Sequence, residues 1–144
     1  MRYSILSIFF FATILFFSSN STQAQEDSHI FTMTTIHLTF PEDGSMAEFD
    51  SLNQLYTDRV IKMNPKIISQ RNFRHFWGSD NRQFVIMTEY KNMEDMLAAN
   101  DMNDELFMKG WPTKEERAAY NKASSKYFGW HSDEIYHEVN SGRK

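Results

Sequence analysis

Two hydrophobic periods take turns along this chain, and the order in which they do so is what most narrows its possible folds. From Ile30 to Phe40 (IFTMTTIHLTF) the side chains are β-branched or aromatic and alternate. Ile30, Thr32, Thr34, Ile36, Leu38 and Phe40 fall on one face, and Phe31, Met33, Thr35, His37 and Thr39 on the other. A period of two predicts a strand, and Pro41-Glu42-Asp43-Gly44 breaks it. Ser45-Met46-Ala47-Glu48 then has the form of a capping box. Phe49, Leu52, Tyr56 and Met63 recur at helical spacing, which predicts a helix ending at Asn64-Pro65. Ile67 to Trp77 and Arg82 to Tyr90 alternate again about a turn at Gly78-Ser79-Asp80-Asn81, the composition of a β-hairpin.

Beyond the hairpin, Asn92 caps a second helix, whose apolar stripe weakens at Asn100-Asp101 and stops at Gly110-Trp111-Pro112. Thr113-x-x-Glu116 opens a third helix carrying Ala119, Tyr120, Ala123 and Tyr127, with Gly129 expected to terminate it. Glu134 to Val139 alternates as a last strand. The order predicts an α+β fold, a ferredoxin-like βαββαβ sandwich. It has a four-stranded antiparallel sheet with an extra helix before the last strand. The strands at 30–40 and 82–90 are apolar on both faces, whereas a face left to water alternates to polar. Helices cover one face. A second copy of the sheet, in a symmetric sheet-to-sheet dimer, is expected to cover the other.

The N-terminal segment is read as a removable leader. Met1-Arg2 gives a positive start, Ile5 to Phe17 is an uncharged apolar run, and Thr22-Gln23-Ala24 offers small residues for cleavage. The run is shorter than the roughly 20 residues a spanning helix needs. The expectation is a signal peptide at 1–24 and a single domain at 25–144, exported to the periplasm or beyond, with no membrane attachment after cleavage. Loss of Arg2 takes the formal net charge from -4 to -5. The charge is mild and without a basic stripe, so no nucleic-acid partner is expected. The chain has 0 Cys, which excludes disulfides and thiolate metal sites and leaves packing to hold the domain together. No HxH, HExxH, Gly-rich phosphate loop or G-x-S-x-G occurs, so neither a metal site nor a nucleotide enzyme is expected.

Several residues could carry chemistry. His131 and Asp133 are two apart and point the same way in an extended segment, where a carboxylate can orient an imidazole as a general base. Equally, either could cap the end of the preceding helix or tie down the start of the strand. His75 and Trp77 share a face before the hairpin turn and suit a ligand donor and an aromatic wall, or a core or interface pair. Tyr90, Tyr120 and Trp130 are candidate pocket-lining rings, although aromatics at such spacing also serve as plain core. His37 and His137, on the first and last strands, are candidate neighbours, with their parity against a shared face. The Met93, Met96, Met102 and Met108 set reads as adaptable packing.

His75-Phe76-Trp77-Gly78-Ser79-Asp80, Val85 to Tyr90, and Tyr127 to Tyr136 (YFGWHSDEIY) carry a resemblance to a known family. Together with topology and element lengths over about Ile30 to Val139, they make the chain resemble the dimeric α+β barrel superfamily, closest to its exported bacterial members. The resemblance implies two ferredoxin-like subunits packed sheet against sheet. It spans cofactor-free oxygenases, haem-degrading enzymes, peroxidases, lyases and members without known activity. The Asn/Trp/His set of the haem-degrading branch is not matched, and no cofactor is expected. Three functions follow as expectations. The first is an exported protein that binds a small apolar or aromatic molecule between sheet and helices. The second is a cofactor-independent oxygenase or lyase with His131 and Asp133 as base and His75 or a Tyr as donor. The third is a structural homodimer without a ligand. An open apolar pocket with no base in reach favours the first, an open pocket with converging His and Asp the second, and a sealed, filled interior the third.

Overall fold

The computed structural model describes residues 28–139, and the expected leader lies outside them. Within these residues the elements run β1 (Ile30–Leu38), α1 (Met46–Arg59), a 3-10 turn (Ile61–Met63), β2 (Ser69–Arg74), β3 (Gln83–Tyr90), α2 (Met93–Gly110), α3 (Lys114–Ser125) and β4 (Phe128–His137). The strands form one antiparallel sheet in the order β2-β3-β1-β4. This is the ferredoxin-like α+β arrangement, with α3 as the extra helix.

Local chemistry sets the helix starts. Ser45 accepts the Glu48 amide at α1, Asn92 accepts that of Asp95 at α2, and Thr113 and Glu116 cap α3 reciprocally. After α1, the buried Asn64 ties its turn to α2, donating to the Ala99 carbonyl at 2.9 Å and to Asn103 at 2.8 Å.

Register assigns the two faces of the sheet. Ile36, Leu38 and Phe84 pack beneath Phe49 and Tyr127 on the helix side. Tyr90 packs with Met96 and Ala99 under α2, and Val60, Ile61 and Trp111 close the far end. The opposite, open face carries Phe31, Met33, Thr35 and His37 on β1. Directly across on β3 stand Glu89, Met87, Val85 and Gln83, then Ser69, Arg71 and Phe73 on β2, and Tyr136, Glu134 and Ser132 on β4. No element of the described chain covers this face, and Phe73, Trp130 and Tyr136 are exposed.

The largest departure from the sequence reading is at the last strand. It begins at Phe128, six residues before Glu134, and Gly129 lies inside it instead of ending a helix. The helix stops at Ser125, and Tyr127 is fully buried. β4 pairs with β1 through Leu38 with Phe128 and Ile36 with His131, with a bulge between. At the bulge the backbones approach so closely that a Cβ on Gly129 would lie 2.4 Å from the His37 carbonyl oxygen. The glycine is there for proximity. β1 and β2 are also shorter than expected, ending at Leu38 and Arg74.

The Tyr127 hydroxyl donates to Glu48 and accepts the Ser45 amide at 2.9 Å, while Lys126 Nζ reaches Glu48 at 2.9 Å. These contacts fasten the α1 start to the α3–β4 junction. The tyrosine hydroxyl, then Lys126, holds the Glu48 carboxyl below its ordinary value of 4.5. A carboxyl depressed in the folded state contributes stability that is complete above its unfolded value and is lost as pH falls through the folded one. The melting temperature is therefore expected to drop as acid is added below about pH 4.5, and Glu48→Gln should lack that part of the drop in a melting series against pH.

Candidate functional site

Between the helices and the sheet lies a cleft of about 280 Å3. Ile36, Ile86 and Phe128 form its floor. Phe49, Leu52, Asn53 and Tyr56 of α1, Phe107 of α2, and Tyr120, Asn121 and Ser124 of α3 form its walls. The lining is aromatic and aliphatic with a few amides and hydroxyls, the composition of a small-molecule site. Its rings are held by one another. Tyr56 stacks on Tyr120 at 6.4 Å, and Tyr120 packs on Trp111 at 4.3 Å, over which lies the Arg59 guanidinium. Burial, and then the neighbouring Tyr56, pushes the Tyr120 hydroxyl up to about 12, and burial raises Tyr56 as well. Both stay protonated at neutral pH, so they can donate hydrogen bonds but not act as bases. Tyr120 donates to the Leu52 carbonyl at 3.4 Å. The lining holds no His, Asp, Glu or Lys.

The sequence-predicted residues separate into three places. Tyr120 lines the cleft. Tyr90 does not; it is buried in the core beneath α2. His131 and Asp133 stand on β4, not at a helix end, so neither caps α3. His131 Nε2 is 3.2 Å from Asp133 Oδ2, and Thr34 donates to Asp133 Oδ1 at 2.6 Å. Their cross-strand partners Ile36 and Thr34 place the pair on the helix side of the sheet beside the cleft floor, with both side chains more than half exposed. An exposed polar contact of this kind contributes little to stability. His131→Ala is thus expected to shift the melting temperature by no more than a degree or two, and calorimetry of the variant checks this.

The third place is the hairpin end of the open face. His75 follows β2 and donates its amide to Gln83, and its ring folds over Gly78, which has φ of 140°. Gln83 faces His37 on β1. Trp130 stacks on His37, the rings 5.9 Å apart and 10° from parallel. Trp77 does not join them as a wall, because it and Phe76 project from the hairpin loop almost fully exposed. Nor do His37 and His137 meet. They belong to opposite faces and opposite ends of β1, His137 pairing with Ile30, roughly 23 Å along the strand. Sequence reasoning did not find the His37–Asp80 pair, at 3.2 Å. It depends on where the hairpin loop falls against β1, and no local spacing reports that.

Among solved structures the chain is similar in fold to several proteins, one of them described as a dimeric ferredoxin-like protein. One is a variant of SnoaB, a cofactor-independent oxygenase from Streptomyces nogalater, with 9% identity, TM-score 0.54, and 81% of this chain and 98% of that one covered. Another is a dimeric ferredoxin-like protein from an uncultured marine organism, with 10% identity, TM-score 0.56, and 83% and 96% covered. A third is a candidate antibiotic biosynthesis monooxygenase from Caulobacter crescentus CB15, with 14% identity, TM-score 0.53, and 81% and 94% covered. At such identities the likeness is one of fold. No protein-family profile and no curated protein sequence matches the chain.

Proposed function

We propose that this chain is an exported, homodimeric protein that binds a small apolar or aromatic molecule in the cleft between its helices and its sheet. The observation carrying this reading is the cleft itself: open, of about 280 Å3, walled by aromatic rings, and without an ionisable acid or base of physiological range in its lining. The dimer is supported by the uncovered apolar side chains of the open face, Phe31, Met33, Val85, Met87 and Phe73, and by the dimeric description of a similar structure. Export is supported by the leader-like segment at 1–24.

Ser124 is half-buried on the α3 wall and has room before it. Ser124→Phe is expected to fill the cleft and weaken binding of an apolar probe such as naphthalene by about tenfold or more, while leaving the circular dichroism spectrum unchanged. Titration of naphthalene fluorescence checks this, and equal affinity in the two proteins would move the ligand elsewhere.

A second reading, a cofactor-independent oxygenase or lyase, is favoured by one observation. The Thr34–Asp133–His131 chain stands beside the cleft floor, where a bound molecule reaching past Phe128 would meet an oriented imidazole. Turnover of a cleft ligand by the native protein and not by the folded His131→Ala variant would establish it.

A further inference from the structure

The open face carries a charge pattern that its own subunit does not use. One row across the sheet reads Arg71 on β2, Met87 on β3, Met33 on β1 and Glu134 on β4, each directly opposite the next. β2 and β4 are the two edges of the sheet. The row therefore ends in a cation at one edge and an anion at the other, with methionines between. Three strand spacings separate the ends, roughly 14 Å, which is too far for a pair within one chain. Arg71 borders a hollow together with Glu89 and Glu138, yet it makes no ion pair or hydrogen bond among the described residues. Glu89 is engaged by His29 at 2.6 Å and Ser69 at 2.8 Å. Glu134 accepts the Tyr136 hydroxyl and meets no cation among the described residues.

Building on the homodimer proposed above, we infer that this row sets the geometry of the sheet-to-sheet pair: Arg71 binds the partner's Glu134, and the two-fold axis runs along the strands. Stacked sheets lie about 10 Å apart, a gap that an arginine from one side and a glutamate from the other can span. An axis parallel to the strands and passing between β1 and β3 reverses the strand order and keeps each row over its own copy. Arg71 then faces the partner's Glu134, Met87 faces the partner's Met33, and each contact occurs twice. An axis across the strands instead lays β2 on β2 and β4 on β4. Centred on this row, it sets like charges against each other; displaced from it, it covers both charges without a partner. Either arrangement is costly, whereas complementary charges fix the register of an interface. An apolar surface of any other kind would also cover Arg71 and Glu134 unpaired. A second copy supplies the complement of each.

Charge reversal followed by sedimentation tests the pairing. Arg71→Glu is expected to raise the dimer dissociation constant about a hundredfold, because two like-charge contacts replace two ion pairs. Glu134→Arg should do the same from the other edge of the sheet. The doubly reversed protein, Arg71→Glu with Glu134→Arg, should return to within about tenfold of the native value, since its row again complements its own reverse. Both positions are exposed in the single subunit, so the circular dichroism spectrum should stay native in every variant. A single reversal without effect, or a double variant as weak as the singles, overturns the pairing. Should one single variant fail to fold, the other single and the double variant still decide. A native protein that sediments as a monomer would remove the dimer and this geometry together. A native dimer unmoved by Arg71→Glu would remove the geometry alone.

Discussion

Replacing Gly129 by alanine is expected to lower the melting temperature by on the order of 10 °C. The added methyl carbon would lie 2.4 Å from the His37 carbonyl oxygen, which belongs to backbone and cannot swing aside as a side chain would. Relief requires β4 to move off β1 at the bulge between Ile36 and Leu38. That movement disturbs the pairing of Leu38 with Phe128 and of Ile36 with His131, and through Phe128 the edge-on packing against Phe49. Overpacking of a close-packed interior costs about 1–3 kcal/mol, and a backbone clash belongs at the upper end. For a domain of this size each kcal/mol corresponds to about 4 °C. Calorimetry reads the result directly. The substitution should also disturb the cleft, because Phe128 is part of its floor, so naphthalene affinity should fall along with stability.

The second large effect concerns assembly. Met33→Glu is expected to convert the proposed dimer to a monomer, raising the dissociation constant by about two orders of magnitude or more. Met33 lies on an interior strand of the open face, with Met87 opposite on β3 and Glu134 opposite on β4. A carboxylate there would meet the like charge of Glu134 within its own sheet and, in the proposed sheet-to-sheet pair, would be buried against the facing sheet of a second copy. Position 87 is the weaker choice for this test, because Arg71 stands directly opposite and would pair with a glutamate. As the side chain faces away from the helices, the monomer should keep its secondary structure. Sedimentation against concentration measures the shift, and an unchanged dimer would place the interface elsewhere.

The parts of this fold that were legible in sequence are those governed by neighbours along the chain. Capping at Ser45, Asn92 and Thr113 is local and present in the structure, but the box read at Ser45 is only half formed, because the Ser45 amide bonds the Tyr127 hydroxyl and the Glu48 carboxylate turns to Tyr127 and Lys126. The two-sided apolarity of β1 and β3 was likewise visible, because strand parity is local. Gly129 was misread because a glycine after a helix looks the same whether it supplies a left-handed cap or makes room for a neighbouring backbone. The neighbour here, His37, is 92 residues away. Tyr90 and Tyr120 could not be told apart by pattern. Both are aromatic and amphipathically placed, and only the position of α2 decides that one is covered and the other borders a cleft. The pairing of His131 with Asp133 was legible from a spacing of two. Its third member, Thr34, was not, since it comes from the register of β1 against β4. The same holds for Asp80 and His37, joined by the hairpin's reach over the sheet.

Native mass spectrometry of the protein, expressed with its own leader and purified without denaturation, tests the account most directly. The account predicts a species of two chains, each beginning at Gln25, carrying the added mass of a small molecule that is missing from Ser124→Phe prepared in the same way. A single chain with no added mass would contradict it, removing at once the sheet-to-sheet pairing and the occupied cleft.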